Sequence, residues 1–327
     1  MKVFGMDFEL FITLYVVFGI AAAFAYGVLA KKTQRAKREG RDQRSAASGT
    51  AASESGGLFQ DDEAAVDRGM PAGVPVTTRI KQVKQPYGGY VRPRDFEKTQ
   101  LPGGGAEDLN PEENASPALV GLAVDYLTRF MTGATAREAF SISIKGAAIA
   151  GRSELATFYL SNIEGLDDLS IVSAMKLAGF DAAYRAGLRA YKPVEGIEPD
   201  VPTVSNVREM VERSLRFFDA YGPKTADFLT FEGGYTSTVS AGDGDFMTDD
   251  TLWDFKVSKS GITSKHTLQL AMYWLMGVHS VHGEAYRSIK YLGVYNPRLN
   301  MVYRLPVSSI PSETILEIEQ DVIGYGA

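Results

Sequence analysis

The chain has 327 residues, of which 45% are hydrophobic and 23% are charged, which is enough for one sizeable globular domain or two small ones. It contains no cysteine, which excludes disulfides, thiolate zinc sites, iron–sulfur clusters and cysteine nucleophiles. The net charge of −6 argues against a protein that coats nucleic acid through bulk electrostatics. An enzyme acting on nucleic acid would need a locally basic groove.

The first predicted element is a transmembrane helix over residues 10–30. This segment carries no charge and matches the ~20 residues that cross the hydrocarbon core of a bilayer. It is followed by Lys31 to Arg44, with seven basic residues against two acidic ones. The positive-inside rule then predicts a single-pass protein of the cell membrane, with a short N-terminus outside and the rest in the cytoplasm. A solvated linker or a nucleic-acid contact is the alternative interpretation of the basic run.

The composition predicts a membrane anchor over 1–30, a flexible linker over 31–115, a helical subdomain over 116–200 and a C-terminal core over 201–327. The linker is rich in Gly, Ser, Ala and Pro, which cannot bury enough apolar surface to offset the entropy of ordering. Val76 to Phe96 is less uniform, because basic residues alternate there with tyrosines and β-branched residues. This part has an alternative role as an added strand or a segment docked on the folded domain.

Helical patterns begin at Ser116, an N-cap candidate followed by Pro117. Further helices are predicted near 136–161 and 168–191. A marked amphipathic helix follows, with Thr203 or Ser205 as its cap and Gly222 as its end.

After this helix the apolar period changes from helix to strand. Strands are predicted over 227–247 and 251–258, with a tight turn at Thr248 to Asp250. A helix capped at Thr263 or Ser264 and two more strands complete an α-β-β-β-α-β-β order. The expected fold class is therefore α/β, with helices and strands about one sheet.

The segment Gly242 to Ser258 holds five aspartates and one lysine. Asp254 and Lys256 are two apart on one strand and so share a face, and hairpin pairing brings Asp245 beside Asp254. Two carboxylates on one face need a compensating cation, and Mg²⁺ (or Mn²⁺) is held in proteins by one or two carboxylates together with waters and phosphate. Lys256 would then orient or deprotonate a water and stabilise charge on a phosphate, which suits phosphodiester hydrolysis. An ion pair beside a solvated acidic turn is the alternative; Asp243, Asp249 and Asp250 are assigned to that turn.

The next helix carries Gln269 and Tyr273 at i, i+4, so that both reach one face. Together, Gly242 to Asp245, Asp254 to Lys256 and Gln269 to Tyr273 resemble the nuclease core of the PD-(D/E)xK superfamily, and particularly its RecB-like branch. The resemblance covers roughly residues 203–327. It implies a restriction-endonuclease-like αβββαβ core and a metal-dependent nuclease. DNA is the expected substrate, and RNA stays open as the alternative.

The resemblance also implies roles for individual residues. Asp245, Asp254 and the Phe255 carbonyl are implied as metal ligands, Lys256 as the catalytic lysine, and Gln269 and Tyr273 as residues that support the site or touch the nucleic-acid backbone. The family usually adds an acidic residue or histidine from an upstream helix. Glu212 is the tentative choice, with Glu209 and Glu232 as the other options.

Three other functions remain open. The domain could be a catalytically inactive nuclease fold that binds nucleic acid or protein at the membrane, an enzyme acting on a small phosphate ester, or a membrane scaffold. His279, His282 and Glu284 form a second candidate metal group, for which surface histidines are the simpler interpretation. Lys259, Lys265, His266 and Arg298 are candidate phosphate contacts.

Overall fold

The computed structural model describes Lys2–Val3, Met6–Asp7 and residues 73–326. The two N-terminal pieces form short antiparallel strands, β1 (Lys2–Val3) and β2 (Met6–Asp7). The predicted transmembrane segment at 10–30 and the basic run after it lie outside the described residues. Within the described part of the chain, no helix combines the length and the apolar character that crossing a bilayer requires.

A mixed six-stranded sheet organises residues 73–326. Its strands are β4 (Glu97–Gln100), β5 (Ala226–Leu229), β7 (Gly244–Met247), β8 (Thr251–Phe255), β9 (Tyr291–Asn296) and β10 (Met301–Pro306). Their order is β4-β10-β9-β8-β7-β5; β8 and β9 run parallel, and the other neighbours in this sheet are antiparallel. A separate two-stranded parallel sheet joins β3 (Val74–Pro75) to β6 (Val239–Ala241).

Two long helices cover opposite faces of the sheet. Helix α8 (Val201–Tyr221) places Phe217 against Trp253 and Tyr295, at ring distances of 4.8 and 4.2 Å. Helix α9 (Ser264–His279) shares a hydrophobic cluster with alternate residues of the same strands, including Leu252. Between α8 and α9 the chain forms four strands rather than the three predicted, because β6 pairs in the separate sheet. Strands β5, β7 and β8, followed by α9, β9 and β10, agree with the predicted alternation, and the protein is a mixed α/β fold.

Helix α9 makes the parallel pairing of β8 and β9 possible, because two parallel strands need a long crossover connection. It is followed by the short helix α10 (Gly283–Arg287) before β9 begins. The turn predicted at Thr248 to Asp250 is present, and Thr248 donates its backbone N–H to the carbonyl of Thr251 across it. Helix α8 begins earlier than predicted, since Asp200 is its N-cap and accepts a hydrogen bond from the Thr203 backbone.

A helical region precedes α8 and has its own hydrophobic cluster. As predicted, its first helix begins after the N-cap Ser116, whose side chain accepts a hydrogen bond from Leu119. The helices are α2 (Pro117–Met131), α3 (Ala136–Ala139), α4 (Ser141–Ile149), α5 (Ser153–Ser161), α6 (Asp168–Ala178) and α7 (Asp181–Ala186).

Residues 73–110 correct the prediction of a flexible linker over 31–115. Helix α1 (Val76–Gln82) buries Val76 and Ile80, and β4 pairs with β10 at the edge of the sheet. Val91 and Phe96 also enter the core cluster that α9 shares with the sheet. These apolar residues are spread among glycines and charges, so average composition hides them. The predicted alternative of docking over 76–96 describes this segment better, while residues 31–72 lie outside the described part.

Candidate active site

Asp245 and Asp254 lie on the same face of the sheet. Strands β7 and β8 pair Phe246 with Trp253, and the two aspartates are the next residues along each strand. Since side chains alternate along a strand, both carboxylates lie on the face opposite Phe246 and Trp253, which is the face covered by α9. Hairpin register therefore brings the two predicted carboxylates together.

Lys256 follows the end of β8 and completes this cluster. Its backbone N–H continues the pairing with β9 by donating to the Tyr295 carbonyl, and its Nζ lies 2.9 Å from Asp254 Oδ1. Burial opposes the charged ammonium, but Asp254 and Asp245 outweigh that effect and raise the pKa of Lys256 above its ordinary value. The side chain is therefore a cation at neutral pH.

Asp245 is the titratable carboxyl of the cluster. Its Oδ2 accepts a short hydrogen bond of 2.6 Å from the Phe255 backbone N–H. Burial, followed by repulsion from Asp254, raises the pKa of Asp245 to about 7, against the opposing effects of Lys256 and the Phe255 N–H. Near neutral pH this group sits close to half protonation, so a cation placed beside it would displace a proton.

Asp254 carries an unused acceptor. Its side chain is 2% exposed, and Oδ2 is buried without a hydrogen-bond partner, although Oδ1 accepts from Lys256. A buried carboxylate oxygen without a partner is costly, which makes this atom a natural position for a cation.

The donor set fits a divalent cation that retains most of its water ligands. Within the described residues, no group of three or more His, Asp or Glu side chains is arranged around one position. Mg²⁺ needs only one or two carboxylates when waters and phosphate complete its shell. Asp245 and Asp254 provide that pair, and Phe255, implied as a backbone ligand, lies on the strand between Asp254 and Lys256.

Gln269 and Tyr273 meet on α9, as their spacing predicts. Gln269 Nε2 donates to the Tyr273 hydroxyl at 2.8 Å, and both residues line the same cleft as Asp245. A Cβ at Gly242 would lie 3.2 Å from Tyr273 Cε1 and 2.9 Å from Val76, so glycine allows the strand and the tyrosine to approach. Burial is the main cause that raises the pKa of Tyr273, which stays a neutral hydroxyl.

The cleft in front of Asp245 has a volume of about 590 Å³. Its sheet side includes Gly242, Asp243, Gly244 and Asp245, and α9 contributes Gln269 and Tyr273. The opposite wall comes from the helical region. That wall contains Asp125, Tyr126, Arg129, Ile142, Tyr184 and Arg185.

Asp125 on α2 is a site residue that sequence reasoning missed. It lines the cleft, and its negative charge contributes to the raised pKa of Asp245. Its carboxylate is paired with Arg129 at 2.9 Å, and Arg129 also reaches Asp227 at 3.2 Å. In the sequence this is an i, i+4 pair on an amphipathic helix, which is usually a solvated surface pair. In the sequence, only its position beside the apolar stripe of α2 separates Asp125 from an ordinary surface residue.

The structure does not bring Glu212, the tentative upstream acidic residue, into the cleft with Asp245. Helix α8 covers the sheet face opposite the carboxylates, and Glu212 is absent from the described lining of the cleft. Glu209 forms ion pairs with Arg213 and Arg216, and Glu232 is exposed and bonded to Thr230. None of the three glutamates considered therefore completes the cluster.

Several other predicted residues have different partners. Asp250 is not merely solvated, since it pairs with Arg304 at 3.1 Å, whereas Asp243 and Asp249 are exposed. His279 bonds Glu319 rather than His282 or Glu284. Within the described residues no three such side chains surround one position, so His279, His282 and Glu284 do not form the second candidate metal group.

The candidate phosphate contacts also separate. Arg298 is buried in an ion pair with Glu113, while Lys265 and Lys259 are exposed. His266 is close enough to Lys256 for that charge to lower its pKa, after the larger effect of burial.

No protein-family model matches this chain. None of the curated proteins and none of the solved structures compared with it gives a significant match either. The interpretation of the site therefore depends on the chain's own geometry and on the motif resemblance.

Proposed function

We propose that the protein is a metal-dependent nuclease that hydrolyses phosphodiester bonds in nucleic acid, with DNA as the preferred substrate. The observation that carries this proposal is the convergence of Asp245, Asp254 and Lys256 on one sheet face beside a cleft, with Asp254 Oδ2 unpartnered. The order α8, β5, β7, β8, α9, β9 is compatible with the restriction-endonuclease-like core that the motifs suggest.

Asp245 and Asp254, with the Phe255 carbonyl, would hold Mg²⁺ or Mn²⁺. When bound, the cation supplies positive charge at the phosphate and lowers the pKa of a coordinated water. The chain's own contribution is a pair of carboxylates whose mutual repulsion is relieved only by a cation or a proton.

Lys256 acts as a fixed positive charge. Because the pKa of Lys256 is raised, its side chain does not serve as the base that deprotonates water at neutral pH. Of the two roles left open by the sequence, orienting the water remains. Its ammonium, 2.9 Å from Asp254, is placed to stabilise negative charge that develops on a phosphate next to the carboxylates. The Gln269 and Tyr273 pair lines the cleft and orients groups at the same phosphate.

Asp125 is the upstream acidic residue in this proposal. It replaces Glu212 in that role because it faces Asp245 across the cleft and is close enough to affect its pKa. Its hydrogen bond from Arg129 fixes the orientation of the carboxylate.

The test is cleavage of labelled single-stranded and duplex oligonucleotides by the purified full-length chain with Mg²⁺ or Mn²⁺. Lys256→Ala should abolish cleavage while its circular dichroism stays unchanged. Lys192→Ala is the matched control, because Lys192 is exposed and lies outside the described lining of the cleft. Cleavage retained in Lys256→Ala would defeat the proposal.

An inactive binding module is the second candidate. It is favoured by the lack, within the described residues, of a three-residue acidic metal group. Binding of oligonucleotides without cleavage under any divalent cation would select it. Hydrolysis of small phosphate esters but not of polymers would select the small-ester enzyme.

We also propose that residues 10–30 anchor the nuclease in the cell membrane, with the catalytic region in the cytoplasm. The support is the uncharged segment and the basic run that follows it. A chain lacking residues 1–44 should move from the membrane fraction to the soluble fraction; unchanged membrane association would contradict the anchor.

A further inference from the structure

Phe228 is held in an unusual backbone conformation beside the carboxylates. Strand β5 pairs Asp227 with Phe246 and Leu229 with Gly244, so Phe228 lies opposite Asp245 but is skipped in the pairing. Its φ of 53° is in the left-handed region, which is strained for a bulky residue. The ring lines the cleft and is 49% exposed instead of buried in the sheet.

The Phe228 ring is also supported from one side. The guanidinium of Arg129 lies 4.2 Å from the ring centroid, and Arg129 is fixed by Asp125 and Asp227. The cation is attracted to one face of the ring, and the exposed part of the ring is open to a stacking partner. Phe228 is both exposed and strained in its backbone, and a ligand that stacks on the ring would account for this arrangement.

Tyr184 provides a second exposed ring on the wall formed by α7. It also lines the cleft and is 44% exposed, and Lys145 lies 5.7 Å from its ring centroid. Two aromatic rings, each associated with a cation, therefore border the cavity that contains Asp245.

Arg185, next to Tyr184, is held by a buried carboxylate. Asp181 is 2% exposed and accepts hydrogen bonds from Tyr126 at 2.5 Å and Ser143 at 2.6 Å, while Arg185 Nε lies 3.4 Å away. The guanidinium is half exposed and lines the cleft. Asp181 thus orients an arginine on the wall opposite Asp245, where its guanidinium is available to a phosphate in the cleft.

From these positions we infer that Phe228 and Tyr184 clamp an unpaired nucleobase, with Arg185 contacting an adjacent phosphate. A cavity of about 590 Å³ suits a nucleotide-sized ligand. Within a duplex the faces of the bases are covered by their neighbours, so only an unpaired base offers its face to a protein ring. The clamp rests on the proposed nuclease function and adds to it a preference for single-stranded substrate or frayed ends.

The experiment measures binding of a fluorescent oligo(dT) and of a duplex of the same length to the full-length chain in EDTA, where no cleavage occurs. Phe228→Ala and Tyr184→Ala should each weaken binding of the single strand about fivefold or more, since base–aromatic stacking contributes at least ~1 kcal/mol. Duplex binding should change less than twofold. Phe228→Trp should retain the affinity for the single strand, which a merely structural role of Phe228 would not predict.

Phe158→Ala and Tyr87→Ala are matched controls. Both are exposed aromatic residues, and neither belongs to the described lining of this cleft. Unchanged affinity for the single strand in the two clamp variants, an equal loss for single strand and duplex, or no binding of oligo(dT) by the wild type would each overturn the clamp.

The cleavage assay with Lys256→Ala separates this inference from the proposed function. Selective loss of single-strand binding in the clamp variants, combined with no cleavage by the wild type, supports the clamp and defeats the nuclease. Cleavage by the wild type with no effect of the clamp variants on binding supports the nuclease and defeats the clamp.

Discussion

Lys256 Nζ lies 2.9 Å from Asp254 Oδ1, while Oδ2 of the same carboxylate is buried without a partner. The charge of Lys256 thus offsets the repulsion between the carboxylates of Asp245 and Asp254. Substitution of Lys256 and substitution of Asp254 should therefore have different effects on stability. Removal of the lysine leaves two carboxylates without their cation, whereas removal of one carboxylate charge relieves repulsion.

Lys256→Met should therefore lower the free energy of unfolding by about 1–3 kcal/mol at pH 8 without divalent cations. Asp254→Asn should change it by less than about 1 kcal/mol while abolishing cation binding. Urea unfolding in EDTA measures the first effect, and titration with Mn²⁺ measures the second. Equal destabilisation by both substitutions would contradict this division of roles.

The raised pKa of Asp245 predicts that the folded chain becomes less stable as the pH rises through 7. Its folded-state pKa of about 7 is above the ordinary value of 3.8, so the folded chain holds a proton that the unfolded chain releases between these values. The stability contributed by this group is complete below pH 4 and is lost as pH rises through 7. In EDTA the melting temperature should fall between pH 5 and 8, and Asp245→Asn should flatten that part of the profile.

The same proton competes with the cation. Apparent affinity for Mg²⁺ or Mn²⁺ should rise as pH increases from 6 to 8, and added cation should stabilise the fold most at pH 8. Asp243→Asn is the control, because Asp243 lies two residues before Asp245, outside strand β7, and is exposed. If Asp243→Asn flattened the pH dependence of stability as much as Asp245→Asn does, Asp245 would not be the source of that pH dependence.

Gln269 and Tyr273 should act as one unit. Tyr273→Phe removes the acceptor of the 2.8 Å hydrogen bond, and Gln269→Ala removes its donor. Each should reduce cleavage about tenfold and the free energy of unfolding by only ~1 kcal/mol, and the double variant should lose little more than either single one. Tyr286→Phe, a buried tyrosine on α10, should leave cleavage unchanged; additive losses at 269 and 273 would show independent roles.

The segment 73–110 should be required for stability. A chain that begins at residue 111 lacks β4 and six buried apolar side chains, namely Val76, Ile80, Val91, Phe96, Leu101 and Leu109. Each buried apolar side chain contributes about 1.5–3 kcal/mol, so this chain should be less stable than one beginning at Gly73 by more than ~3 kcal/mol. Urea unfolding of the two chains compares them directly, and equal midpoints would contradict the packing.

The sequence was most informative where local pattern and register decide the structure. The period of two in β7 and β8 predicted the shared face of Asp245 and Asp254, and the spacing of Gln269 and Tyr273 predicted their contact. Asp125 and Phe228 were not predictable in this way. Asp125 reaches the site through packing of the helical region, and Phe228 lies in a strand whose irregular backbone turns the ring into the cleft.

The ordered structure of residues 73–110 could not be predicted from local sequence, because the residues that contact this segment are distant in the chain. Arg79 donates to the carbonyls of Asp321 and Val322, and Thr267 donates to the carbonyl of Val91. Composition averaged over a window cannot reveal buried residues whose neighbours lie at the other end of the chain.

The pairing of β4 with β10 also sets an order of events during synthesis. Gln100 bonds the carbonyl of Leu299, 199 residues further along the chain, so an edge strand made early waits for a partner made near the end. Contacts of such separation fold slowly, and until β10 is made β4 has no strand to pair with. Closure of this sheet is therefore a late step, and the newly made chain is most exposed to aggregation and proteolysis before it.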